Sequence, residues 1–360
     1  MHLQAQEGLM TTYRQAWRNR GPAAWLLSAT LIGSYCVLYW TSWLDPIAQG
    51  LGLRNRWFLY GLLYTVGVGG GGLLYLRRHG SSRYNRLRIM TNFGIQAIFG
   101  FTLPFVMPLL GQPEFYFSYL WPLKYDILYP HTLAGLPTYL AVYAILGATV
   151  VAPVLALSFG KRWYCSWICG CGALANTFGD PWRHLTSSST RAWRFERLAV
   201  HTVLLVAFAA TGVIAADQLL SSKSAAFSSF AYEVKQGYGF VVGALLAGVV
   251  GTGLYPLLGP RVWCRNFCPM AALLGIIQKA GRFRIRVKRD MCISCGNCTT
   301  YCEMGIDVRS YAQSNQSFTR ASCVGCGMCA HVCPRGVLRL ENHAPRARDK
   351  ARQGLITADF

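Results

Sequence analysis

A chain of 360 residues that is 53% hydrophobic and only 14% charged has too little polar surface to close around a water-soluble core, which excludes an ordinary soluble protein of this size. Its formal net charge of +21, from 35 Lys and Arg against 14 Asp and Glu, would suit nucleic acid only on a soluble basic face. Here the cations fall between apolar runs, so the expected partner is membrane lipid, with no nucleic acid.

A helix rising about 1.5 Å per residue needs about 20 apolar residues to cross a hydrocarbon core of about 30 Å. Six stretches qualify: 23–44, 57–76, 89–110, 137–159, 198–218 and 239–258. The polar stretch before the first does not read as a cleavable secretory signal. The second holds Gly67, Gly69, Gly70, Gly71 and Gly72, where a neighbour can pack closely. These glycines do not form a nucleotide fingerprint, and the Walker A, H-E-x-x-H and nucleophile-elbow patterns are absent.

Basic residues alternate between the two sides. One side has Arg14, Arg18 and Arg20, then Arg77, Arg78, Arg83, Arg86 and Arg88, then Lys161, Arg162, Arg183, Arg191, Arg194 and Arg197. The other has Arg54, Arg56, Lys124, Lys223 and Lys235. Fourteen against five predicts a multi-pass protein of a bacterial inner membrane with both termini cytoplasmic. The organisation expected is a cytoplasmic N-terminus (1–22), helices 1–3 with an outer aromatic loop (23–136), helices 4–6 with two repeated cysteine motifs (137–280), a cysteine-rich domain (281–340) and a polar tail (341–360).

The outer loop, 111–136, is rich in aromatics, among them Phe115, Tyr116, Phe117, Tyr119, Trp121, Tyr125 and Tyr129. An interfacial belt is the first expectation. A quinone or partner-docking surface is the second, with Glu114, Asp126 or His131 as proton acceptors. His201, the one histidine in or at the edge of a span, reads as a polar core residue or a contact to a cofactor, because haem b commonly takes two inward-facing histidines.

An internal repeat follows the spans on the cytoplasmic side. Gly160-Lys-Arg-Trp-Tyr-Cys165-Ser-Trp-Ile-Cys169-Gly-Cys171 aligns with Gly259-Pro-Arg-Val-Trp-Cys264-Arg-Asn-Phe-Cys268-Pro-Met, 99 residues on. Repeats of this kind suggest two halves meeting at a shared site. The C-x3-C spacing predicts both thiols of a pair on one helical face, and Pro269 predicts a helix starting there with Cys268 at its N-terminus. Cys165, Cys169, Cys171, Cys264 and Cys268 are thus a candidate additional redox or metal site, against the alternative of inert buried thiols. Cys36 reads as packing.

The C-terminal domain carries the most specific pattern. Cys292, Cys295, Cys298 and Cys302, then Cys323, Cys326, Cys329 and Cys333, form two C-x2-C-x2-C-x3-C runs, the bacterial ferredoxin arrangement in which the fourth cysteine of each run crosses to the other cluster. Cys292, Cys295, Cys298 and Cys333 are expected to hold one [4Fe–4S] cluster, and Cys323, Cys326, Cys329 and Cys302 the other. Gly296, Gly325 and Gly327 suit loops folded tightly round a cluster. The first run ends Cys302-Glu303 where Cys-Pro is commoner. Arg282, Arg284, Arg286, Lys288 and Arg289 read first as lipid contacts and second as a docking patch for an acidic donor. The fold class expected is a polytopic α-helical membrane protein of about six transmembrane helices with a C-terminal α+β two-cluster ferredoxin domain.

Spans, two Arg-x-x-Cys-x3-Cys motifs and a terminal two-cluster ferredoxin together resemble the NapH/NosR-type membrane polyferredoxins, a group that includes the CcoG-type proteins of cytochrome oxidase assembly. The resemblance covers 137–339. Cys264-x3-Cys268-Pro269 matches the family's C-x3-C-P motif, whereas Cys165-x3-Cys169 has Gly170 in place of Pro and adds Cys171. It implies an electron carrier between the quinone pool or a cytoplasmic donor and a partner reductase or flavoprotein, a carrier subunit more than a stand-alone enzyme. NosR-type members carry a periplasmic flavin domain for which the outward loops here are too short, so any flavin would sit on a separate subunit. The alternative function is an assembly or maturation factor that reduces a metal or thiol during biogenesis of a respiratory metalloenzyme.

Overall fold

The computed structural model of the chain describes residues 21–219 and 225–343. Arg14, Arg18, Arg20, Lys223 and most of the expected termini lie outside the described residues. Six helices there are long and apolar enough to cross a membrane: α1 (Pro22–Trp40), α2 (Arg56–His79), α3 (Arg83–Leu110), α4 (Thr138–Phe159), α5 (Thr190–Leu219) and α6 (Ala225–Gly253). Their outer faces expose Leu63, Val66, Leu73, Leu198 and Leu205, surface that water would not tolerate in such density but acyl chains do.

The boundaries differ from the sequence reading most at three helices. α3 and α5 begin earlier, and α6 runs from Ala225 to Gly253 instead of 239–258. Hydropathy marks the apolar window, whereas a helix continues through polar turns for as long as its backbone bonds are made. At 30 residues, α5 is about 45 Å long and overruns a core of about 30 Å, so several of its turns stand outside. Local chemistry sets the starts: the Asn55 side chain accepts from the N–H groups of Trp57 and Phe58 to cap α2, and Ser82 caps α3.

The aromatic loop is not an interfacial belt. Phe115, Leu120, Ile127 and Tyr129 are buried inside the bundle. Tyr164 donates to the Ser118 carbonyl at 2.6 Å, Tyr143 to that of Phe117 at 2.8 Å, and the Trp121 indole to Thr211 at 3.1 Å. Irregular backbone is tolerated at membrane depth when protein supplies its partners, as here. Two wide, π-type segments, Gly147–Val151 of α4 and Gly239–Val250 of α6, begin at glycines that make room for it. A Cβ would lie 3.0 Å from Leu120 at Gly147 and 2.9 Å from the Tyr125 hydroxyl at Gly239.

After α6, the short helix α7 (Pro269–Ala280) packs between α4 and α5 and leads directly into β1 (Phe283–Val287). β1 pairs antiparallel with β2 (Leu338–Asn342), Phe283 opposite Asn342 and Val287 opposite Leu338. Between them lie three short helices, α8 (Asn297–Thr300), α9 (Val308–Gln313) and α10 (Met328–His331). One apolar core runs without interruption from Phe283, Ile285, Val324 and Met328 to Tyr164, Leu274 and Tyr75 of the membrane part. Gln278 clasps the junction: its amide donates to the carbonyls of Arg320 and Cys323 and its oxygen accepts from the Lys161 N–H. Ser166 donates to the Val324 carbonyl and Tyr84 to that of Gly325, both at 2.7 Å.

Candidate metal centres

The two cysteine runs fold alike. In the first, Ser294 and Gly296 adopt φ of 60° and 82°; in the second, Gly325 and Gly327 adopt 59° and 79°. Each left-handed pair turns the chain back on itself before a short helix, α8 or α10, as the expected glycines require. The last sulfur of each run accepts an N–H four residues on, Cys302 from Ile306 and Cys333 from Val337, both at 3.4 Å. One cavity is lined by Cys292, Cys295, Cys298 and Cys333, and a second by Cys302, Cys323, Cys326 and Cys329. Cys295 is exposed, while Cys323 and Cys326 are buried against the membrane part. Among the described residues no three His, Cys, Asp or Glu side chains converge closely enough for a single ion. A tetrahedral ion draws its ligands onto one atom, whereas a cubane separates its four thiolates.

The five remaining thiols of the repeat also meet. Cys165, Cys169, Cys264 and Cys268 are buried in one cluster, with Cys171 beside it. Each pair does not share one helical face, contrary to the spacing argument. Cys165 ends the turn Arg162–Cys165, while Cys169 caps a separate helix, Gly170–Asn176; Cys268 caps α7, its sulfur accepting from the Ala271 N–H at 3.4 Å. A cap residue is extended, and Pro269 enforces that on the residue before it, so the chain turns between the two cysteines. Burial pushes the Cys165 thiol up to about 12 and raises Cys264, although Arg261 works against the latter. Cys169 is lowered, first by the hydrogen bond from Cys171. Toward the bundle the thiols face phenols: Tyr64 donates to the Gly170 carbonyl at 2.7 Å, and Tyr119 and Tyr255 are within electrostatic reach. The glycine run of α2 allows this approach, since a Cβ on Gly71 would lie 2.7 Å from the Phe178 nitrogen. At Gly71 the close neighbour is loop backbone, while at Gly69 and Gly72 it is the expected neighbouring helix, α3, a Cβ there lying 2.9 Å from Phe93 and 3.2 Å from Ile89.

A charge network joins the two sites, and sequence reasoning missed it. Glu303, fully buried, pairs with Arg183 at 2.9 Å and Arg261 at 3.0 Å. Arg183 reaches the Cys326 sulfur at 3.8 Å, and Arg261 the Cys264 sulfur at 3.7 Å and the Cys165 carbonyl at 3.2 Å. Burial alone would raise the Glu303 carboxyl; the two guanidinium groups overcome it and hold the pKa at about 2. Asn176 accepts from both Arg261 and Arg88, and Arg88 donates to Tyr75. Arg88, Lys161 and Arg183, counted in the sequence as cations of the membrane face, are therefore interior groups. The signal was present in the departure from Cys-Pro at Cys302-Glu303. Arg284 is likewise buried in β1, and Arg286 pairs with Glu341 at 3.2 Å.

Other candidates fall elsewhere. Glu114 accepts from the Tyr116 hydroxyl at 2.7 Å, the His131 N–H donates to Gln218, and Asp126 is half-buried. His201 is exposed on α5 instead of lying in the core.

Comparison with known proteins agrees with this layout. The family model for a 4Fe-4S dicluster domain matches residues 285–340, and that for a 4Fe-4S binding domain matches twice, at 140–186 and 240–288, once over each cysteine pair. The chain is 27% identical over 178 residues, 48% of its length and 50% of the relative's, to YccM of Escherichia coli K12, whose name assigns it provisionally to electron transport. It is 27% identical over 180 residues, 49% of its length and 59% of the relative's, to the methylamine utilization ferredoxin-type protein MauN of Paracoccus denitrificans. To the ferredoxin-type protein NapH of Escherichia coli K12 it is 28% identical over 165 residues, 45% and 54% of the two chains. The match thus spans about half the length of these curated relatives. No solved structure matches the chain. In its six membrane-length helices, its dicluster domain and a 4Fe-4S binding segment repeated over the cysteine pairs, the chain is similar to ferredoxin-type electron transport proteins such as NapH, MauN and YccM.

Proposed function

We propose that this chain is a one-electron relay in a bacterial inner membrane, with its dicluster domain on the cytoplasmic side. Cys292, Cys295, Cys298 and Cys333 would hold one [4Fe–4S] cluster, and Cys302, Cys323, Cys326 and Cys329 the other. The observation that carries the reading is that each of the two cavities is lined by four cysteines, three from one run and one from the other. Such a cluster, bound by four thiolates, takes up and releases one electron and leaves no open position for a substrate. The chain's own residues order the route. Cys295 is the exposed thiol, which makes the first cavity the end open to a soluble partner. Arg183 and the Ile306 N–H set positive charge and a hydrogen bond against the sulfurs of the second cavity, favouring the reduced state there. Arg261 continues that contact to Cys264, so the five-thiol group is the third station, between the dicluster domain and the bundle.

The relay would exchange electrons with quinone or a cytoplasmic donor at one end and a partner reductase or flavoprotein at the other, any flavin sitting on that partner. Anaerobic purification, iron and acid-labile sulfide assay, and EPR after addition of menaquinol or ubiquinol test this. About eight irons per chain are expected from the dicluster domain alone, and about twelve if the five thiols hold a further cubane. Far fewer than eight in intact protein would sink the reading. The second reading, a maturation factor that reduces a metal or thiol of another enzyme, draws on the five-thiol group itself, because neighbouring thiols supply two electrons when they close a disulfide. Deletion of the chain separates the two: a relay's loss stops flux through a fully metallated partner, whereas a maturation factor's loss leaves the partner short of metal.

A further inference from the structure

A cavity of about 380 Å³ lies where the first turns of α5 meet the end of α7 and the stretch 316–322 that leads into the second cysteine run. Its wall carries Lys161, Arg197, Arg265, Lys279, Arg284 and Arg320. Against these six cations stands one carboxylate, Glu196, which Arg265 already engages at 2.7 Å. Lys161, Arg265 and Arg284 are 2%, 6% and 6% exposed. Trp193 fixes two more, with the Arg197 guanidinium 5.3 Å and that of Arg320 5.1 Å from its ring. Among the described residues, one terminal nitrogen of Arg265 is buried without a hydrogen-bond partner. Gathering like charges in a half-enclosed space is costly unless an anion joins them.

The position of the cavity selects the anion. Trp193, Arg197, Val200 and His201 share one face of α5, and the next positions along that face are Leu205 and Phe208, 69% and 46% exposed. The cationic wall therefore continues into an apolar stripe that runs along the span. A ligand matching both has a phosphate at one end and hydrocarbon at the other. We propose that the cavity binds the phosphate headgroup of an anionic phospholipid, whose acyl chains lie along Leu205 and Phe208. Its walls include Cys264 on one side and Ser322, the neighbour of Cys323, on the other, so the bound headgroup ties the dicluster domain to α5 and α7 between the two thiol sites.

The test needs no redox readout and stands or falls apart from the relay. The full chain is delipidated in detergent, exposed to phosphatidylglycerol or phosphatidylcholine, and examined by native mass spectrometry. Phosphatidylglycerol is expected to be retained preferentially. Each cation near a lipid surface contributes about fivefold to such binding, so Arg197→Gln with Lys279→Gln, both exposed, should weaken retention about thirtyfold. Unchanged iron and helix content establishes that the variant is folded. Equal retention of the two lipids, or an unaffected folded variant, overturns the proposal. Displacement of the lipid by millimolar inorganic phosphate also overturns it, in favour of a site for a soluble anion.

Discussion

The chain contains two internal duplications, and they have diverged in different ways. The two ferredoxin runs agree in backbone angles, in the helix that follows and in the N–H donated to the last sulfur. The two C-x3-C copies also share a backbone, with Gly160 and Gly259 at φ of 71° and 93° and with Cys169 and Cys268 each capping a helix. Their side chains have separated. Arg261 turns inward to Glu303 and Cys264, whereas its counterpart Arg162 stacks on Phe283, 4.8 Å from the ring. Copies that each enclose the same kind of cavity stay alike, while copies that build one shared site meet different neighbours and specialise.

The largest test of that contrast is at Glu303. Glu303→Gln leaves Arg261 buried without its counter-charge and Arg183 with Asp180 alone, at 3.1 Å, and breaking a buried pair costs about 3–5 kcal/mol. A much lower thermal midpoint is expected, with proteolysis opening the junction near α7. Arg162→Ala removes a partly solvated stacking contact and should cost about 1 kcal/mol by the same assay. Equal effects would show that the aligned arginines have not specialised.

Acid provides a second approach to the same group. The Glu303 pKa is depressed in the folded chain, from an ordinary 4.5 to about 2. Its contribution is therefore fully present above about pH 4.5 and is lost as pH falls from there through 2. Acid unfolding of the wild type should steepen in that window, and Glu303→Gln should flatten it.

Glycine positions test the backbone likeness. At Gly160 an added Cβ would lie 2.6 Å from the Gln278 amide oxygen and 2.7 Å from the Phe283 Cβ, at a positive φ that itself costs about 1–2 kcal/mol. Gly160→Ala should thus destabilise by about 2–4 kcal/mol, the strain adding to the overpacking. In the ferredoxin runs, Gly325→Ala would press on Arg162 at 2.7 Å and cost about 1–3 kcal/mol. Ser294→Gly, the reverse exchange at the matching position, relieves a left-handed serine but loses the bond from Gln313 at 2.8 Å. It should change stability by less than about 1 kcal/mol, checked by thermal unfolding with iron content as control.

Periodicity and composition determined what could be read locally: six apolar windows, two cysteine runs with their glycines, and a 99-residue repeat ending in a proline-started helix. Each depends on residues close in sequence, where chain geometry limits the outcome. Only the tertiary structure decided that the aromatic loop descends into the bundle, since that depends on Gly147, Gly239 and Tyr164 supplying room and a hydrogen bond. It also decided which cations face lipid and which are buried. Lys161, Arg183 and Arg261 look alike in sequence to Arg194, yet the carboxylates of Glu303 and Asp180 and the sulfurs nearby hold Arg183 and Arg261 inside. Pairing across 42 or 120 residues leaves no periodic trace, because the partners are selected by charge and burial in the folded chain and not by spacing along it.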